Sequence, residues 1–445
     1  MTPDSATVAK LRAEVLGRLT TEEHIAGSAR GLGADDERAL GRHLIAEVLE
    51  RHAREAIGSG KSVLEIGEED ALARAVFDSI FGLDRLQRLL DDPSIENINA
   101  NGCDQVFVRY ADGRHEQVEP IADSDEEMLE LLRTIGARVG LSERRLDFAH
   151  PMLGQQMPDG SRLAAMFSVS SRPCLSIRRH RYLRVTADEL VGMGTLDLAL
   201  REFFRATMLA RRSLIICGGI GAGKTTLLRA IAADIPRHER LVTIEDSLEL
   251  GLERFPELHP DVVALEAREP NLEGEGGVSL ADLVRFALRL SPDRVIVGEA
   301  RGAEVLSLLN AMSQGTDGSM ATLHASSSKG AFSKLATYAI QAPERLPLEA
   351  TNLLVANAVH FVVHLEEHDG RRFVSSVREV TDAEGPMVVS NEIFRPGPDR
   401  RAVPGAPMRA ETLDRLVEVG FDPELLNEPN GFWDADRELS EWNRR

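Results

Sequence analysis

Apolar residues recur along the chain with changing periodicity, and each change marks a boundary. Between residues 6 and 20, Val8, Leu11, Val15 and Leu19 stand three or four apart, the spacing that lines one face of a helix. Leu40, Leu44, Val48 and Ile57 do the same over 35–57, behind an Asp35-Asp36 start signal, and a third helix is predicted over 68–80. These charged, amphipathic helices predict a helical segment over 1–81 with no visible chemistry.

From Phe81 onward the runs shorten. Strands are predicted at Ile95–Ala100 and Gln105–Arg109, around an Asn101-Gly102 turn, followed by a helix over 125–139. Further strands fall near 152–157, 161–167 and 174–179, with a Pro158-Asp159-Gly160 turn. The mixture predicts a small α+β domain over 82–185 that ends in a basic run, Arg178-Arg179-His180-Arg181. Taken alone, such a run reads equally well as a solvated linker.

After Thr186 a short helix and linker lead into 186–395. There, apolar runs at 213–217, 241–245, 294–298 and 319–323 alternate with helical patterns at 224–233, 279–290, 302–314 and 330–341. Continuously apolar strands between helices predict an α/β domain, a parallel sheet covered on both faces. A helix at 347–357 and strands at 359–365, 373–380 and 387–394 follow, the first two strands joined by His368-Asp369-Gly370. The rest, 396–445, is rich in Pro, Gly and charge, with one helical patch at Glu411–Val419 and two tryptophans, Trp433 and Trp442. It predicts a mostly extended tail that docks on a partner.

Composition narrows the choices. A chain of 445 residues suggests two or three domains. Its net charge of −20 and its 4% aromatic content argue against a nucleic-acid partner. Three scattered cysteines, Cys103, Cys174 and Cys217, form no C-x-x-C pair, so neither a zinc module nor a disulfide framework is indicated and a reducing cytoplasm fits. The most apolar long window, 346–365, is interrupted by Glu349, Asn352, Asn357, His360 and His364, which rejects a membrane span. Membrane contact is therefore expected only through a partner.

The chemistry centres on Gly218-Gly219-Ile220-Gly221-Ala222-Gly223-Lys224-Thr225, followed by Thr226. It fits G-x-x-x-x-G-K-[ST], with a predicted strand before it and a helix after it. Glycines let the backbone fold around phosphates, Lys224 reaches the β- and γ-phosphates, and Thr225 offers its hydroxyl to Mg²⁺. A nucleoside triphosphate, read as ATP, is the expected ligand. Hydrolysis also needs acids at neighbouring strand ends, and two runs supply them. One ends in Glu245-Asp246, with Glu249 beyond it; the other ends in Glu299. Each taken alone is also readable as a surface strand cap. Glu299 can accept a proton from water, and Glu245 and Asp246 can sit near metal and water. His324 ends a further strand and could sense the γ-phosphate, although a lone histidine is more often structural.

These four stretches stand in order: 218–226, 243–250, 291–302 and 317–325. They resemble the Walker A, Asp box, Walker B and His box of the type II/type IV secretion and pilus ATPases. Asn271-Leu272-Glu273-Gly274 and Pro158-Asp159-Gly160-Ser161-Arg162 are similar to the CpaF-type branch of the tight-adherence (Tad, or Flp) pilus, over about residues 82–365. The resemblance implies a RecA-like ATPase domain behind a small PAS-like domain whose arginines complete the site, giving roles to Arg178 and Arg179 and a lesser one to Arg162. It implies Glu299 as general base, a homohexamer, docking beneath an inner-membrane platform from the cytoplasm, and ATP hydrolysis that powers pilus or secretion assembly. Thr316 and Ser326-Ser327 depart from the usual His-box residues, so no second histidine role is implied. Assembly ATPases of the type II branch usually carry a tetracysteine zinc module, which this chain cannot form. A conjugative type IV secretion ATPase, a pilus-retraction motor and a nucleotide-gated scaffold with little turnover stay open as alternatives.

Overall fold

The computed structural model describes residues 4–25, 34–58, 65–110, 113–138, 145–157, 159–179, 184–268, 270 and 274–433. Pro158, His180, Arg181, Asn271-Leu272-Glu273 and Trp442, all used above, lie outside the described residues. The chain divides into two compact units, Met1–Arg181 and Tyr182–Arg445.

In the first unit, α1 (Ser5–Ile25), α2 (Ala34–Gly58) and α3 (Ile66–Phe81) pack Leu11, Val15, Leu19, Leu44, Val48, Leu72 and Val76 into one apolar cluster. Ile57, expected on the buried face of α2, is instead 64% exposed, because it sits in the helix's last turn beyond that cluster. Next come α4 (Arg85–Asp91), β1 (Ile95–Asn101), β2 (Val106–Tyr110), β3 (His115–Val118), α5 (Asp125–Arg138), β4 (Met152–Gln156), β5 (Arg162–Met166) and β6 (Cys174–Arg178). The six strands form an antiparallel sheet in the order β3-β2-β1-β6-β5-β4. Ile98, Val106, Leu163 and Ile177 share a second core with Leu86 of α4 and Met128 and Leu132 of α5.

The second unit opens with α6 (Ala187–Gly192) and α7 (Leu198–Leu209), each with a side-chain cap, from Thr186 and Asp197. Here the sequence suggested one short helix; α7 is a second, nearly buried one. The chain continues through β7 (Leu214–Gly218), α8 (Lys224–Ala232), β8 (Leu241–Glu245), β9 (Val262–Glu266), α9 (Leu280–Ala287), β10 (Arg294–Val297), α10 (Glu304–Met312), β11 (Met320–His324), α11 (Ser328–Gln341) and α12 (Leu348–Ala358). It closes with β12 (Phe361–His368), β13 (Arg371–Glu384), β14 (Met387–Pro396), β15 (Ala402–Pro404) and α13 (Ala410–Glu418).

The nine strands run β15-β14-β13-β12-β7-β11-β10-β8-β9. From β12 to β9 neighbours are parallel; from β12 outward they are antiparallel. Alternate residues of β7 feed opposite layers: Leu214 and Ile216 join one core with α7 and α8, while Ile215 and Cys217 join another with α9 to α12. That two-sided burial is why the strands read as unbroken apolar runs, and it is the α/β architecture the sequence predicts.

The tail departs from expectation. Its described part is docked on its own unit: β15 extends the sheet, Leu416 and Phe421 are buried, and Trp433 Nε1 donates to Ala402 O at 2.9 Å. The backbone N–H of Phe432 donates to Asp197 Oδ2 at 2.8 Å, on the helix-capping carboxyl of α7. Widely spaced apolar anchors in a Pro- and Gly-rich stretch show no periodicity, yet each still fills a core position.

At the end of the sheet remote from the glycine loop, Arg294 is fully buried. Its guanidinium pairs with Glu239 at 2.6 and 2.9 Å and donates to Met208 O at 2.7 Å. It ties α7 and the segment before β8 to β10. Removing one partner leaves the other charge buried and unpaired, so Glu239→Ala should cost about 3–5 kcal/mol of stability. Denaturant unfolding of the full chain measures it; a loss below about 1 kcal/mol would show that the pair is dispensable.

Candidate active site

The register of the parallel sheet sets the site. Gly218, the last residue of β7, stands beside His324 of β11 on one side and Leu365 of β12 on the other. A Cβ at Gly218 would fall 2.5 Å from the Leu365 carbonyl oxygen, so no larger residue fits. Gly221 (φ 77°) and Gly223 (φ 93°) occupy the left-handed region, and Gly223 is the N-cap of α8. Gly219, Ile220 and Gly221 are exposed at the tip, Ala222 is buried, and Thr225 and Thr226 lie half-buried in the first helical turn. An exposed glycine loop ending on a helix N-terminus is a site for phosphate oxygens.

Lys224 is buried, with Nζ donating to Gly219 O at 2.8 Å and Gly218 O at 3.3 Å. Nζ also lies 3.2 Å from Nδ1 of His324. Lysine only donates, so a hydrogen bond between the two makes Nδ1 the acceptor and assigns the imidazole proton to Nε2. That nitrogen is 2.6 Å from Oε1 of Glu299. Burial first, and then the Lys224 charge, lower the His324 pKa and favour the neutral ring. Burial likewise lowers the pKa of Lys224.

Glu299 follows β10 at a turn tied to β11: Thr322 Oγ1 donates to Gly298 O at 2.5 Å, and Ala300 N donates to Thr322 O at 2.8 Å. Burial pushes the Glu299 carboxyl up, but the Arg301 hydrogen bond and the charges of Arg301 and Lys224 outweigh it, so the net shift is downward and the group is ionised. Arg301 Nη2 donates to Glu299 Oε2 at 2.6 Å, and Nη1 reaches Asp246 Oδ2 at 3.3 Å. Oε1 is buried and receives no well-directed hydrogen bond despite the nearby imidazole. It is an acceptor with capacity for a water molecule. The sequence pattern assigned Arg301 no role. The signal was its place two residues past Glu299, where one planar guanidinium can serve two acids.

Glu245, expected beside metal and water, is used differently. Its carboxyl is buried against Gly298, and Oε1 accepts the backbone N–H groups of Glu249 and Leu250, each at 3.0 Å. Burial raises its pKa to about 8. A carboxyl whose oxygens accept backbone N–H groups in the turn after β8 is poorly placed to serve Mg²⁺. Asp246, partly exposed and next to Arg301, and the Thr225 hydroxyl remain suited to that ion. Among the described residues no group of three or more acids, histidines or cysteines forms a metal cage.

The arginines of the first unit separate. Arg179 is anchored in its own domain, with Nη1 donating to the carbonyls of Asp92 and Ile95. Arg178 is exposed at the end of β6, directly across from exposed Arg162 on β5. Like charges facing each other across strands are unfavourable, and an anion between them relieves the repulsion. Successive strand residues point to opposite faces, so Arg162 rather than Arg179 shares a face with Arg178.

Residues 81–394 match the protein family described as type II/IV secretion system protein. A putative conjugal transfer protein of Mycobacterium tuberculosis is 33% identical over 332 residues, covering 72% of this chain and 91% of that protein. The type IV secretion system protein VirB11 of Brucella suis is 31% identical over 353 residues, covering 72% and 94%. The crystal structure of the Brucella suis VirB11 ATPase aligns with 30% identity over 70% of this chain and 96% of that one, at a TM-score of 0.36.

The Glu245 carboxyl gives a stability test. Its folded pKa, about 8, lies above the ordinary carboxylate value of 4.5. Its contribution is therefore complete below pH 4.5 and is lost as pH rises toward 8. Glu245→Gln keeps the acceptor and removes the titration, so its stability relative to the parent should increase from pH 5 to pH 8. Unfolding midpoints across that range measure this; parallel curves would mean that Glu245 is ionised when folded.

Proposed function

The chain belongs to the type II/IV secretion system protein family, and from that premise we propose that this ATPase hydrolyses ATP at the Lys224–His324–Glu299–Arg301 cluster to drive a secretion or pilus machine. The observation that carries the reading is Oε1 of Glu299, a buried acceptor on an ionised carboxylate next to the phosphate-binding lysine.

The chemistry follows from what each group can do. In the resting loop Lys224 is held by two carbonyls, and phosphate oxygens are stronger partners for its charge. When Nζ turns to the phosphates, Nδ1 of His324 loses its donor, and the ring can swing or take a proton. Glu299 then orients water through Oε1 and accepts its proton, while Arg301 keeps the carboxylate ionised and in place. Thr225 and Asp246 would hold Mg²⁺, which neutralises charge on the β- and γ-phosphates when bound.

The finer assignment is a CpaF-type ATPase of a Tad/Flp pilus, working as a homohexamer at the cytoplasmic face of an inner-membrane platform. It is supported by the ordered boxes and by the small domain with its facing arginines. Among the described residues no helix is long and apolar enough to cross a membrane. A second reading, a type IV secretion ATPase of the conjugative kind, is favoured by the names of the relatives above.

Glu299→Gln should keep nucleotide binding and lower steady-state turnover about a hundredfold. Lost binding with normal turnover per bound nucleotide would return Glu299 to a strand cap.

We also propose that Arg162 and Arg178 serve turnover while Arg179 serves folding. Arg178→Ala should reduce hydrolysis on the scale of an arginine finger, about 10³-fold, with the melting temperature unchanged. Arg179→Ala should lower the melting temperature. Calorimetry and ATPase rates on both variants decide; the reverse pattern would overturn the assignment.

A further inference from the structure

Just beyond the sheet register lies a group of charges that the chemistry above does not use. β12 keeps parallel register with β7 up to Leu365 opposite Gly218 and then continues to His368. Asp369 (φ 52°) and Gly370 (φ 76°) turn the chain, and β13 returns from Arg371. Because the Leu365 carbonyl abuts Gly218, this hairpin tip rises alongside the glycine loop. It does so on the side of β7 away from β11 and β10, which carry His324 and Glu299.

Two side chains of the tip lie against the loop itself. Oε2 of Glu367 is 3.7 Å from where a Cβ would stand on Gly221, and Cδ of Arg372 is 3.5 Å from the same position on Gly223. They are cross-strand partners in the hairpin, paired loosely at 3.6 Å, and both are about half exposed. Arg371 is exposed at the tip, while Glu366, His368 and Asp369 are engaged away from the loop. Arg400, from the β14–β15 connection, pairs with Glu366 and lies 3.3 Å from Nδ1 of His368, whose Nε2 is 3.6 Å from Asp369. Arg400 lies beyond the span matched by the family, 81–394.

Because β12 flanks β7 on the side opposite β11 and β10, a triphosphate whose terminal phosphoryl points toward Glu299 would extend its nucleoside toward β12. A carboxylate there repels phosphates unless a cation offsets it, and Arg372 supplies that cation. An ionised carboxylate only accepts hydrogen bonds. The donors of a nucleotide nearest its phosphates are the ribose hydroxyls. We propose that the β12–β13 tip is the ribose subsite: Glu367 accepts from the 2′- and 3′-hydroxyls, Arg372 positions Glu367 and shields the phosphates from it, and Arg400 braces the tip. This rests on the nucleotide reading of the loop.

The test is equilibrium binding of ATP, 2′-deoxy-ATP and inorganic tripolyphosphate to the full chain and its variants. The parent should prefer ATP over 2′-deoxy-ATP by about tenfold, the worth of one hydrogen bond to a charged group. In Glu367→Ala the preference should fall to within about twofold, with tripolyphosphate bound as well as before or tighter. Arg372→Ala should also erode the preference, and Arg372→Lys should restore part of it. A parent without preference, a preference unchanged in Glu367→Ala, or equal losses for ATP and tripolyphosphate in that variant would overturn the proposal. Lys224→Ala separates the two readings: it should abolish tripolyphosphate binding, and intact binding there would instead overturn the assignment of the loop.

Discussion

A lysine ammonium donates hydrogen bonds and cannot accept one, and the resting arrangement of the site follows from that constraint. With Nζ of Lys224 against Nδ1 of His324, the imidazole must carry its proton on Nε2, facing Glu299. The Glu299 carboxylate then lies between a neutral ring and the Arg301 guanidinium, which keeps it ionised in a half-buried setting. The sheet register makes this possible, because Gly218 and His324 are paired residues of adjacent parallel strands. In the proposed function nucleotide phosphates would compete for the same lysine, which would couple binding to the state of the histidine through one hydrogen bond.

Much of this was legible in the sequence because the relevant residues sit at strand ends, and the strands that carry them are buried on both faces. Apolar runs marked β7, β8, β10 and β11, and the first polar residues after them gave Lys224, Glu245, Asp246, Glu299 and His324. What pattern could not give was direction. Glu245 and Asp246 are neighbours, yet one turns into the protein to hold two amides and the other stays partly exposed beside Arg301. The same alternation separates Arg178 from Arg179, which read as one basic run.

The strands that the pattern missed have a common cause. β3, β9 and β15 are all edge strands, short or only partly buried, so they lack the apolar run or alternation that a covered strand shows. The tail was misread for a related reason: it contributes single anchors, such as Phe421 and Trp433, to a core built mainly by other elements. Through β15 and Arg400 that tail reaches the hairpin flanking the glycine loop, which links the chain beyond the matched span to the nucleotide site.

The most direct measurement is the tautomer of His324 in the nucleotide-free protein. Histidine-labelled protein, with the signal assigned by its loss in His324→Gln, reports by nitrogen NMR which ring nitrogen carries the proton. A neutral ring protonated at Nε2 near pH 7.5, changing when a non-hydrolysable ATP analogue is added, is the result predicted from the Lys224 contact. A ring protonated at Nδ1, or an imidazolium unaffected by the analogue, would contradict the coupling of Lys224, His324 and Glu299.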